Sequence, residues 1–324
     1  MKHFLKSTLV AASLAITTGA TWAEEFTMNA VSMTPRQASI SAGFAMFIEE
    51  INNEFKGEFQ IKWRGGPEVM PPFKQAEAVR NGAIDMAFTS PSYYSGLVPS
   101  STSMNLSFKR YDEINQTGYY ERMTEIHAEK DLVFLGEVPA TDLSFLLYLN
   151  APITSLDDLK GKRVRVFPTL APLVEALGAE PLILPIGEIY TAMERGTIDG
   201  FAMGPLVRGE QYKGVVSTVV YPGVYRAGFP ILVNQDAWNE MPQELRDRIT
   251  AYVRGNLSSR IDAIWAEKVV KAAEGMAAEG FSKFELSSED AVSLRELALD
   301  AAWAGVAEAA GEEQASELRS MLVD

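Results

Sequence analysis

Apolar residues recur along the chain in two alternating rhythms. Phe26 to Val31, Phe59 to Trp63 and Ile84 to Thr89 are short apolar runs that predict strands. Between the first two, Ile40, Phe44, Phe47, Ile48, Ile51 and Phe55 fall at helical spacing behind Pro35. Gly65-Gly66-Pro67 breaks the second strand, a helix is predicted from about Phe73 to Arg80, and Gly82 supplies its stop. This β-α-β-α-β order argues for a mostly parallel sheet covered by helices.

The same rhythm returns later. Leu132 to Val138 and Leu143 to Leu149 predict two strands, and the second runs through Asn150-Ala151-Pro152 to a short helix at Leu156 to Lys160. Val164 to Phe167, a helix near Leu170 to Leu177, Leu182 to Leu184 and a helix ending at Arg195 then predict a second α/β lobe. A repeat supports two lobes of like build: Arg80-Asn81-Gly82-Ala83-Ile84-Asp85 returns in outline as Glu194-Arg195-Gly196-Thr197-Ile198-Asp199. Gly-x-Ile-Asp is also a common way to leave a helix and enter a strand, so alone it leaves chance open. Val215 to Val220 and Phe229 to Val233 are expected to carry the chain back. A long helix then starts at Pro242, with Leu245, Ile249, Tyr252, Val253, Leu257, Ile261, Ile264 and Trp265 in register. Ser287 with Asp290 resembles a capping box for a further amphipathic helix, Ala291 to Ala309.

The first 23 residues change the compartment. Lys2 and Lys6 precede the apolar run Leu9 to Ile16, and Thr21-Trp22-Ala23 ends in small-residue cleavage chemistry, the pattern of a secretory signal peptide cut after Ala23. The run is shorter than the ~20 residues of a membrane span. The protein is therefore expected in the periplasm, not embedded in the membrane. With no cysteine in 324 residues, an exported fold of this size must be held by core burial alone. The formal charge of −14 makes nucleic acid and anionic lipid poor partners, and it gives weight to any cation aimed into a pocket.

Inventory argues against catalysis. The only histidine after the leader is His127, in a polar helical stretch where a solvated residue is expected; with one histidine and no cysteine, Ser-His and Cys-His pairs have almost nothing to draw on and there is no His or Cys cluster for zinc. Gly65-Gly66-Pro67 lacks the Lys-Ser/Thr of a phosphate loop. No cofactor and no metal is called for.

The candidate site gathers at predicted strand ends, where open α/β sheets bind ligands. In Arg163-Val164-Arg165-Val166-Phe167-Pro168, alternation puts Arg163 and Arg165 on one face. Spacing alone leaves Arg165 either on a wet basic face or in a cleft, where its planar fork could grip a carboxylate. Thr89, Ser90, Tyr93 and Tyr94 gather in the first lobe, and Phe167, Thr169, Phe201 and Met203 in the second; Glu68, beside the Gly-Gly-Pro turn, completes the set.

Asn81-Gly82-Ala83-Ile84-Asp85-Met86, Leu156-Asp157-Asp158-Leu159-Lys160-Gly161-Lys162-Arg163-Val164-Arg165-Val166 and Glu194-Arg195-Gly196-Thr197-Ile198-Asp199-Gly200, taken in order behind a leader, resemble the solute receptors of tripartite ATP-independent periplasmic (TRAP) transporters. The resemblance implies an α/β, two-lobed periplasmic binding protein with a hinge and a long helix spanning both lobes. Its expected lobes are 24–147 plus 231–262, and 148–230 plus 263–324. It further implies that Arg165 clamps a small organic acid in the interlobe cleft, and that membrane permease subunits driven by an ion gradient receive it. The chain departs from many members at Leu143-Ser144-Phe145-Leu146 and Phe201-Ala202-Met203-Gly204-Pro205, where a second polar anchor or a metal-binding pair is common. The expected ligand is then a monocarboxylate with an apolar or aromatic body. Rival expectations are a periplasmic sensor for a kinase or chemoreceptor, and an exported carboxylate-dependent hydrolase.

Overall fold

The computed structural model describes residues 25–205, 209–278 and 280–323. The expected signal segment and its expected cleavage point after Ala23 lie outside the described residues. Strands β1 (Phe26–Ser32), β2 (Phe59–Gly65), β3 (Met86–Phe88) and β4 (Leu132–Ala140) begin the first sheet. The chain then crosses to lay down β5 (Phe145–Leu149), β6 (Arg163–Val166), β7 (Glu180–Ile183), β8 (Gly200–Met203) and β9 (Thr218–Val224) in a second sheet. It returns for β10 (Ala227–Asn234) in the first sheet and adds β11 (Ser282–Glu285) to the edge of the second. Strand orders are β2-β1-β3-β10-β4 and β11-β9-β5-β8-β6-β7.

The sheets are mostly parallel, with one refinement. β10 runs antiparallel to β3 and β4, and β5 antiparallel to β8 and β9. These are the strands that directly follow the two short crossings between sheets, whereas β11, reached through the long helix, runs parallel to β9. β10 is buried at all eight positions, as its near-continuous apolar sequence requires at the centre of a covered sheet. Sheet membership puts the crossings at 141–144 and 225–226. β5, partly placed in the first lobe by the sequence bounds, thus belongs to the second sheet, and Ala227–Pro230 belong to the first.

The internal repeat has a physical basis. Gly82 and Gly196 both take left-handed backbone, φ 72° and 65°, where a Cβ would be strained, and each ends its helix. The aspartate three residues on then grips the neighbouring strand. Asp85 Oδ2 accepts from the Asn29 backbone N–H at 2.7 Å, and Asp199 Oδ2 accepts from the Arg163 backbone N–H at 2.9 Å. Arg163 also pairs with Asp199 through its side chain, at 3.0 Å. It is a strand tether, so the two arginines that share a face do different work.

The long helix runs as Gln243–Tyr252, a π-turn at Val253–Leu257 and Ser258–Ala278, longer than the apolar spacing indicated. It packs on β4 and leads into β11, so it spans both lobes. Where it passes the crossings it fastens them: Ser258 Oγ donates to the Glu137 carbonyl at 2.7 Å, and Asp262 Oδ1 accepts from the Thr141 N–H at 2.7 Å. Arg226, at the second crossing, forms a fully buried ion pair with Glu137, Nη2 to Oε1 at 2.5 Å, and the Tyr120 hydroxyl donates to the same oxygen. The helix Ser288–Ala310 is capped by Ser287, whose Oγ accepts from the Asp290 N–H at 3.1 Å, and a further helix, Glu312–Leu322, follows it.

Removing one partner of such a buried pair strands the other charge in a low dielectric, typically a loss of ~3–5 kcal/mol. Glu137→Ala should lower the unfolding free energy measured in urea by that order, and Glu137→Leu combined with Arg226→Met should recover most of it. Equal loss in single and double variants would show that the charges are not the reason.

Candidate functional site

A cavity of about 370 Å³ lies between the lobes. The first lobe contributes Met33, Gln37, Ser90, Tyr93, Asn105 and Phe229, the crossing contributes Leu143, and the second lobe contributes Phe145, Arg165, Phe167, Met203 and Tyr212. It opens at the carboxyl ends of β6 and β8, and the turn Pro91–Tyr94 packs across it on Pro168–Leu170. Among the described lining residues, Arg165 alone carries a formal charge.

Arg165 reaches this place because β6 is buried at Val164 and Val166 on one face, which turns Arg165 to the other. Arg165 as a whole is 1% exposed. Its Nε donates to the Leu184 carbonyl at 2.7 Å and its Nη1 to the Ala202 carbonyl at 3.3 Å, while buried Nη2 has no hydrogen-bond partner. Burial pulls Arg165 below the usual arginine range, and the groups that offset this are phenols, Tyr93 and Tyr212. Burial in turn pushes Tyr93 up and raises Tyr212 to about 12, both moderated by the guanidinium. A charge of this kind, oriented by two carbonyls, flanked otherwise by phenols and left with its Nη2 amino group unbonded, is built to meet an anion.

The sequence-derived candidates divide. Arg165, Phe167, Ser90, Tyr93 and Met203 line the cavity. Phe201 does not: its ring stacks on Tyr148 at 4.9 Å with planes 7° apart, within the core of the second lobe. Tyr94 faces away and donates to His127 Nε2 at 2.9 Å. Thr89 and Thr169 are buried outside the lining with unpartnered hydroxyls, and Glu68 is exposed, accepting from the Gly66 N–H at 2.8 Å. Reasoning from sequence missed Gln37, Asn105, Phe145, Tyr212 and Phe229. Phe145 carried a signal, since it stands where an expected polar anchor is replaced; the others had none, because loops and a strand from the far lobe bring them in.

His127 corrects another expectation. It is fully buried rather than solvated, with Nδ1 bonded to the Met123 carbonyl at 2.6 Å and its ring 5.2 Å from Phe134. The polar run around it hid a helix face turned to the core. With Nδ1 donating and Nε2 accepting from Tyr94, the ring is neutral, and burial lowers its pKa to about 4.

This arrangement belongs to two-lobed binding proteins, in which a ligand is enclosed between α/β lobes joined at a hinge. The model of bacterial extracellular solute-binding protein family 7 (DctP) matches residues 30–309, and the chain belongs to that family. It is 27% identical over 258 residues to a monocarboxylate 2-oxoacid-binding periplasmic protein of Nostoc sp., covering 74% of this chain and 70% of that protein. It is 25% identical to the C4-dicarboxylate-binding periplasmic protein DctP of Rhodobacter capsulatus, covering 79% of each. In fold it is similar to a TRAP periplasmic solute-binding protein of Desulfovibrio salexigens with bound orotic acid, with a TM-score of 0.80, 18% identity, and 92% and 97% of the two chains covered. A Bordetella pertussis receptor binding pyroglutamic acid aligns with a TM-score of 0.76 at 16% identity, over 91% and 99%. The family consists of transport receptors, not enzymes.

The buried histidine predicts a pH dependence. Above about pH 6.5 it is neutral folded and unfolded; between there and about 4 only the unfolded chain takes up the proton, so stability falls with pH across that window. From about pH 7 to 5 the wild type should lose about 2 kcal/mol more than His127→Gln in urea unfolding. Parallel profiles would contradict it.

Proposed function

We propose that this chain is a periplasmic receptor that encloses a monocarboxylate with an apolar or aromatic body and delivers it to a TRAP-type permease driven by an ion gradient. The observation that carries the reading is Arg165, buried in the cavity with Nη2 unpartnered. One cation among the described lining residues favours one carboxylate, and the Phe145, Phe167, Met203 and Phe229 walls favour an apolar remainder. The Nostoc relative's monocarboxylate ligands agree with this, and the acids named for the structural neighbours agree with a carboxylate in general. The signal pattern and the family support export to the periplasm, and no helix among the described residues is long and apolar enough to cross a membrane.

Three steps follow from the geometry. With the lobes apart, the acid reaches Arg165 from the side of Ser90 and Tyr93. The carboxylate takes the free Nη2 and displaces water, which strengthens the pair as the dielectric drops. Closure then seats the apolar body against both lobes, and the hinge at 141–144 and 225–226 stays fastened by Glu137, Arg226 and Asp262 throughout.

Arg165→Met separates binding from stability. Losing the partner of a buried carboxylate typically costs ~3–5 kcal/mol, two to more than three orders of magnitude in affinity. The ligand-free variant should melt at or above the wild type, since it no longer buries an uncompensated charge. Calorimetric titration with carboxylates and a melt without ligand read the two effects; unchanged affinity in the folded variant would remove Arg165 from the site.

A further inference from the structure

Behind the cavity wall, on the far side of β5 and β8, is a second space of about 20 Å³. Its lining is wholly apolar, including Leu147, Leu173, Val174 and Leu294. It exceeds the ~10–15 Å³ one water needs, but it offers no polar partner, so it stays dry. Phe145 and Ala202 line both this space and the ligand cavity. Ala202 has only a methyl group to contribute, so the partition is the Phe145 ring, which leans on Phe167 with centroids 4.5 Å apart.

We propose that Phe145 is a specificity-determining residue: its ring closes the cavity off from the dry space behind it and so sets how long the apolar body of the bound carboxylate can be. The inference rests on the carboxylate reading above. Phe145 is the first residue of β5, at the lobe crossing, and it is half-buried, so its ring is held by packing on one side and faces the ligand on the other. A smaller residue joins the two spaces. Extra methylenes then enter a dry apolar chamber where each is worth about fourfold in affinity.

The test is calorimetric titration of wild type, Phe145→Ala and Phe145→Leu with straight-chain and ω-phenyl monocarboxylates of stepwise increasing length. Wild-type affinity should climb about fourfold per methylene to an optimum and then drop. In Phe145→Ala the optimum should move to longer acids, with at least a tenfold gain for the first acid the wild type rejects; Phe145→Leu should move it part of the way. The Leu variant keeps an apolar side chain in the wall and decides the matter should the Ala variant not fold. An unmoved optimum in a folded variant, with Arg165-dependent binding intact, overturns the role of Phe145 alone. If no member of either series binds the wild type, the carboxylate reading and this inference fall together.

Discussion

The structure turns on a guanidinium kept away from water without a counter-charge. Two carbonyls orient Arg165 and two phenols soften its burial, yet the Nη2 amino group is left unbonded. In a chain with a formal charge of −14 the general field repels anions, so attraction has to be local and directional. The lobes, the crossings and the helix that spans them keep this one charge dry and reachable.

Arg226 shows the alternative use of the same residue. It is as deeply buried, but Glu137 neutralises it at 2.5 Å and the Asn105 side-chain amide donates to its backbone carbonyl at 3.1 Å. A paired arginine at the hinge holds geometry, whereas an unpaired one in the cleft holds affinity in reserve. Asn105 touches both settings, since it also lines the cavity. The cavity wall thus includes a residue that is bonded to the hinge itself.

Much of the fold was legible because burial writes itself into period. The apolar runs located most strands to within a few residues, and the Gly-x-Ile-Asp repeat pointed to two like lobes for a reason the structure makes explicit, an aspartate gripping the next strand. The reversal of β5 and β10 was not legible, since strand direction depends on which sheet the chain re-enters. Within the site, local alternation located Arg165 and the strand ends located Ser90, Tyr93, Phe167 and Met203. Phe201 misled because it shares a face of β8 with Met203 but sits two residues deeper, where Tyr148 covers its ring, and only tertiary packing says how far along a strand the cavity reaches. His127 misled for the opposite reason: its polar neighbours masked a side chain that satisfies itself through Tyr94 and a carbonyl. Asn105, Tyr212 and Phe229 come from distant segments, and no local pattern announces a wall assembled from both lobes.

The most direct test of the account is to titrate the protein, stripped of co-purified ligand by unfolding and refolding, with matched pairs of apolar carboxylic acids and their primary amides. The pairs share size and shape and differ in the charge that Arg165 is held ready to meet. Binding of acids with at least a hundredfold preference over their amides is the predicted result. Equal binding within the pairs, or binding of the amides alone, would contradict the claim that an unpaired buried arginine is what captures the ligand.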